Sequence, residues 1–174
     1  PFDPWARTMR VAAVLLVLEG DAASDRFGTA VAPLADVDGD RAPDFVVGAP
    51  WGKPPGTTDA TGSVHVYSGA TGRPLYDLVG PSTNSRFGQS VAGMDDMDGD
   101  GDGVLDAGPP YGSSPGLPNN GSAHLYSGAN GAEIHVFHGP APGAYLGQSV
   151  AALGAVAGAR LDDLAPRWLA AAGP

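Results

Sequence analysis

With 174 residues, 43% of them hydrophobic, the chain has room for one domain with a core. A net charge of −10, from 19 acidic against 9 basic residues, argues against nucleic acid, whose phosphates need a basic surface. The absence of cysteine excludes disulfides and thiolate metal sites.

Residues 1–24 carry Met9-Arg10 followed by the apolar run VAAVLLVL. That run resembles a signal-peptide core but is too short to span a bilayer, and no small-residue cleavage site follows it. It is read as a buried strand, the last of an incomplete repeat, and no membrane span is expected. Gly 27 and Pro 17 together make up about a quarter of the chain and recur periodically between short apolar runs. Many turns joining many short strands predict an all-β fold.

Residues 27–50, FGTAVAPLADVDGDRAPDFVVGAP, set the pattern. Two apolar runs flank a loop with Asp36, Asp38, Asp40 and Asp44. Carboxylates at positions 1, 3, 5 and 9 of a tight loop suit a hard cation that takes six or more oxygen ligands. An EF-hand is excluded, because position 12 is Val47 rather than Glu and the flanks are strands.

The pattern repeats. Phe27-Gly28 returns as Phe87-Gly88 and as Leu146-Gly147, spaced by 60 and 59 residues. Asp36, Asp38 and Asp40 return as Asp96, Asp98 and Asp100, and Gly48-Ala49-Pro50 returns as Gly108-Pro109-Pro110. GSVHVYSGA at 62–70 returns as GSAHLYSGA at 121–129. Each full repeat predicts four antiparallel strands: one after the Phe-Gly pair, one after the Asp loop, a third at 64–67 or 123–126, and a fourth at 74–79 or 133–137. Glycine in the joining turns SGATG and SGANG supplies the positive φ that hairpins favour. Four such strands make a propeller blade. The expected organisation is an incomplete strand set at 1–24, repeats at 25–84 and 85–143, and a partial, degenerate repeat at 144–174, hence an incomplete ring within one chain. The loops at 51–61 and 111–120 are expected to be exposed and to carry binding.

These residues resemble the FG-GAP repeat family, which builds the β-propeller of integrin α-subunits. The match covers Phe27-Gly28, the Asp36 to Asp44 loop, Phe45-Val46-Val47 and Gly48-Ala49-Pro50. The resemblance implies Ca²⁺ on Asp36, Asp38, Asp40 and Asp44, joined by the Ala42 backbone carbonyl, at the propeller rim of an extracellular or cell-surface protein. The second repeat departs from the pattern, since Val104 stands where the fourth Asp belongs. Asp96, Asp98 and Asp100 are expected ligands there, with Asp102 or Asp106 reaching in and Asp102 the nearer. In the third repeat Ala155, Ala157 and Ala159 replace the ligands and only Asp163 remains. One good site, one weaker site and one dead site are expected.

No other chemistry stands out. His65 and His124 occupy equivalent strand positions and are read as packing or solvated residues. His135 and His138 fall on opposite faces of a strand, which disfavours joint ligation. No set of nucleophile, base and orienting group that stands apart from the repeat is expected, and the protein is read as non-catalytic. Trp51 and Tyr111 are equivalent and are read as rim packing, with a sugar- or peptide-stacking platform as the alternative. Asn120-Gly121-Ser122 is an N-glycosylation sequon. The leading expectation is a calcium-binding extracellular scaffold for adhesion that meets a protein or glycan ligand. The alternatives are a subunit that pairs with copies of itself into a ring or filament, and a lectin-like module.

Overall fold

A computed structural model describes residues 16–55, 58–94 and 104–151. Eight strands form two four-stranded antiparallel sheets, each a simple meander. The first comprises β1 (Ala30–Pro33), β2 (Phe45–Ala49), β3 (Ser63–Tyr67) and β4 (Pro74–Val79). The second comprises β5 (Ser90–Met94), β6 (Val104–Gly108), β7 (Ser122–Ser127) and β8 (Glu133–His138). Each sheet is a blade of propeller type, and no ring closes among the described residues. The expected strand at the N-terminal apolar run falls largely on residues outside those described, and so do most of the second Asp loop and the third.

Burial explains the strand order. β2 is a near-continuous apolar run, as a strand flanked on both sides must be, with Val46, Val47 and Ala49 buried. β4 lies at the sheet edge and shows only partial, alternating burial. β3 separates its faces cleanly. Val64 and Val66 point one way at 0% exposure, and Ser63, His65 and Tyr67 point the other. Both blades carry a register shift late in the third strand, at Val66/Tyr67 and at Leu125/Tyr126.

The core lies between the blades. Val46, Val64 and Val66 of the first meet Phe87, Val91 and Tyr126 of the second. Phe87 is the seam residue. Its backbone forms a parallel bridge with Gly62, and its ring sits edge-on to His124 and Tyr126 at 6.1 and 5.9 Å. Complete burial of such a ring contributes about 1.5–3 kcal/mol. The next copy repeats the arrangement, with Leu146 bridging Gly121 as Phe87 bridges Gly62. The motif is thus a splice in which each repeat's leading Phe-Gly docks on the blade before it.

One expectation about the loops is corrected. Asn120, the sequon residue, is not on an exposed loop but is 0% exposed. Its amide nitrogen donates to the Gly139 carbonyl at 2.9 Å and to Ser114 Oγ at 3.1 Å, and its Oδ1 accepts from the Ser114 amide at 2.9 Å. Loop closure uses all the hydrogen-bonding atoms a glycan linkage would need free.

Candidate metal centre

The loop between β1 and β2 is closed at its neck by two backbone bonds, Leu34 N–H to Asp44 O and Asp44 N–H to Ala35 O, at 2.8 and 3.3 Å. Inside, carboxylates bind the loop's own amides. Asp36 Oδ1 accepts from Gly39 and Asp40 at 2.8 and 3.0 Å, and Asp36 Oδ2 accepts from Arg41 at 2.6 Å. Asp38 Oδ1 accepts from the Asp40 amide at 3.0 Å, and Asp40 Oδ1 from the Ala42 amide at 2.8 Å. The tight winding needs a left-handed residue at Gly39, φ +78°, and Arg41 adopts φ +73°. Backbone N–H dipoles directed at carboxylates offset part of the repulsion among the three acids.

The ligand atoms of Asp36, Asp38 and Asp40 all lie within 4.8 Å of one another. Two oxygens on one Ca²⁺ at 2.3–2.6 Å cannot be more than about 5 Å apart, so a single ion can touch all three. The set offers oxygen alone, which suits Ca²⁺ or Mg²⁺ and disfavours soft metals. The residues therefore fit a hard divalent cation.

Asp44 plays a different part. It is 2% exposed and lies outside that cluster. Its Oδ2 accepts from the Val37 amide at 2.8 Å, and its Oδ1 accepts from the Gly69 amide at 2.9 Å. Asp44 is a clamp that ties the Asp loop to the β3–β4 turn. Ser68 adds a second tie, its Oγ donating to Asp40 Oδ2 at 3.3 Å. Ala42 joins the loop through its amide. Asp96, Asp98, Asp100 and Asp102 lie outside the described residues. Asp106 falls within β6, opposite Ala92.

At the opposite end of the blades, Trp51 and Tyr111 flank Arg86, whose guanidinium lies 4.8 Å from the indole and 4.1 Å from the phenol ring. Arg26 also lies over Trp51 at 5.4 Å, and Tyr145 stands edge-on to Tyr111 at 5.3 Å. Arg26, Arg86 and Tyr145 each precede the Phe-Gly or Leu-Gly pair, and all three adopt a positive φ. The two aromatics thus join successive repeats through cation–π contacts, using ring surface that a sugar platform would need.

Two equivalent hydrogen-bonded chains lie within the repeat, one in each blade. Ser63 Oγ lies 2.9 Å from His65 Nε2, and His65 Nδ1 lies 2.8 Å from Asp77 Oδ1. In the second blade Ser122, His124 and Glu133 repeat this at 2.8 and 2.9 Å. The legible signal was Ser-x-His on a strand, which puts both side chains on one face. The acid had to come from the neighbouring strand.

Comparison with known proteins matches residues 27–67 to the FG-GAP repeat. Human integrin alpha-IIb is 39% identical over 87 residues, covering 49% of this chain and 8% of the integrin's length. Mouse integrin alpha-IIb is 38% identical over 87 residues, again 49% of this chain and 8% of its own length. Human integrin alpha-X is 34% identical over 84 residues, or 44% of this chain and 7% of its length. The chain therefore matches less than a tenth of each of these relatives. Among the described residues, no helix is long and apolar enough to cross a membrane.

Proposed function

From a chain whose residues 27–67 are an FG-GAP repeat and whose relatives are integrin α-subunits, we propose a calcium-stiffened scaffold for adhesion, acting outside the cell or at its surface and meeting a protein ligand. The observation that carries this reading is the convergence of Asp36, Asp38 and Asp40 within one ion's reach. Calcium there would neutralise three carboxylates that otherwise repel. Because Asp40 and Asp44 are tied to the β3–β4 turn, the ion would stiffen both loops at that end of the blade.

Asp44 keeps a second lone pair on each oxygen and serves the site from behind, and the Ala42 carbonyl completes the proposed ligand set. In the second repeat, Asp96, Asp98 and Asp100 with Asp102 would form the weaker site. The third repeat would hold no ion. The proposed repeat boundaries remain 25–84, 85–143 and 144–174. A scaffold of this kind needs no catalytic centre.

Thermal melting of the chain in calcium and in chelator tests the reading. Saturation at about a hundred times the dissociation constant stabilises by about 3 kcal/mol, and chelator removes that gain. Equal melting in both would overturn the reading.

A further inference from the structure

Ser63, His65 and Asp77 lie on one face of the first blade. Ser63 and His65 are two apart on β3, and Asp77 stands directly opposite His65 on β4. An ionised carboxylate only accepts hydrogen bonds, so the 2.8 Å contact to Asp77 holds the proton on His65 Nδ1. Nε2 of the neutral ring is then a lone pair, and it accepts the Ser63 hydroxyl at 2.9 Å. The Phe27 ring lies edge-on at 5.6 Å and the His65 side chain is only 10% exposed, which fixes the imidazole. These are the polarity and order that activate a serine hydroxyl.

Ser63 is only partly buried. Ser63 lines a cleft of about 260 Å³ with Ser24, Trp51, Gly52, Lys53 and Pro54. A Cβ on Gly52 would sit 2.2 Å from Ser63 Oγ, so the Gly52 main chain packs against this hydroxyl and only glycine leaves room for it. Trp51, beside Gly52 on the cleft wall, keeps its Nε1 buried and without a hydrogen-bond partner among the described residues. The second blade supplies an internal contrast. Ser122 sits in the same chain of bonds but is 5% exposed.

We propose that Ser63 is a catalytic nucleophile for small uncharged esters, with His65 as its base and Asp77 as a positioning residue. This activity is separate from the calcium reading. Ser63 Oγ attacks the acyl carbon while its proton passes to His65 Nε2. The carbon–oxygen bond to the alcohol breaks, and the alcohol leaves with that proton. Water, deprotonated by His65, then attacks the acyl-serine and breaks its ester bond. A carboxylic acid leaves and Ser63 regains its proton. The net change is hydrolysis of an ester by one water, with no redox partner.

The test is labelling of the full chain with a fluorophosphonate, which loses fluoride on attack by an activated serine, followed by peptide mapping. The expected result is an adduct on Ser63 and none on Ser122, with no variant required. Asp77→Asn, at a side chain 55% exposed, is expected to slow labelling by about 100-fold or more at an unchanged melting temperature. Ser63→Ala is expected to abolish hydrolysis of p-nitrophenyl acetate beyond the rate of buffer. Failure of Ser63 to label, equal labelling of Ser63 and Ser122, or no effect of Asp77→Asn would each overturn the proposal.

Discussion

A Cβ built on Gly48 would lie 2.1 Å from the carbonyl oxygen of Gly88. Gly48 is the penultimate residue of β2 in the first blade, and Gly88 belongs to the Phe-Gly pair that opens the second. The contact recurs one repeat on, where a Cβ on Gly108 would lie 2.0 Å from Gly147 O. Two glycines of the repeat, distant in sequence, are one backbone-to-backbone contact between neighbours. Gly48→Ala must push two main chains apart and is expected to cost about 3 kcal/mol, the upper end for overpacking. Urea unfolding checks this, and Gly39→Ala serves as the contrast. Gly39 has nothing within 4 Å of its would-be Cβ and pays only for its positive φ.

Asp44 and Asp38 separate the clamp from the proposed ligand. Asp44→Ala strands the buried amide of Val37 and breaks the tie to Gly69, and is expected to cost about 2 kcal/mol even in chelator. Asp38 is exposed and accepts from one loop amide. In chelator, Asp38→Ala is expected to change stability by less than about 0.5 kcal/mol. In calcium its effect should grow. Unfolding of both variants under the two conditions checks the assignment.

Two tyrosines set an alkaline limit. Burial, with Glu133 beside it, holds the Tyr126 phenol well above its ordinary value. Burial raises Tyr67 as well, with Asp77 and then Asp21 adding to it. In the unfolded chain both ionise near pH 10. Above that pH the folded form keeps protons the unfolded form has lost, so stability falls as pH rises. Urea midpoints between pH 8 and 11 are expected to be flat at first and then to decline. Tyr126→Phe should make the decline shallower.

Asn120 is expected to carry no glycan on folded protein offered to an oligosaccharide-transferring enzyme, while the unfolded chain is open to it. Asn120→Asp replaces a buried donor with an acceptor facing the Gly139 carbonyl and is expected to cost about 2 kcal/mol or more. Mass spectrometry and urea unfolding check the two halves.

The blades were legible because their signals are local and repeated. Phe27-Gly28, the Asp loop and the SGATG turn each announce a chain reversal, and the alternation of faces in β3 follows from Ser-Val-His-Val-Tyr, although both faces are largely buried. The three acids at 36, 38 and 40 were legible for the same reason. What escaped depends on neighbours across strands. Asp44 is legible as an acid of the loop, but its tie to the Gly69 amide, 25 residues away, is not. The acid beside each histidine was hidden too, since Asp77 and Glu133 are not equivalent in the repeat. Asp77 matches Val136, and Glu133 matches Pro74. Likewise Trp51 and Tyr111 read as one repeated aromatic, and only the fold placed Arg86 between them.

The central claim is that Asp36, Asp38 and Asp40 hold one hard divalent cation and that this ion stiffens the blade. Calcium titration by calorimetry, on the native chain and on an Asp36→Asn/Asp38→Asn/Asp40→Asn variant, tests it most directly. The account predicts a tight binding event in the native chain that the variant loses, with the variant's calcium-dependent rise in melting temperature cut back to what the weaker second site supplies. Undiminished tight binding by the variant, or no binding by the native chain, would contradict it.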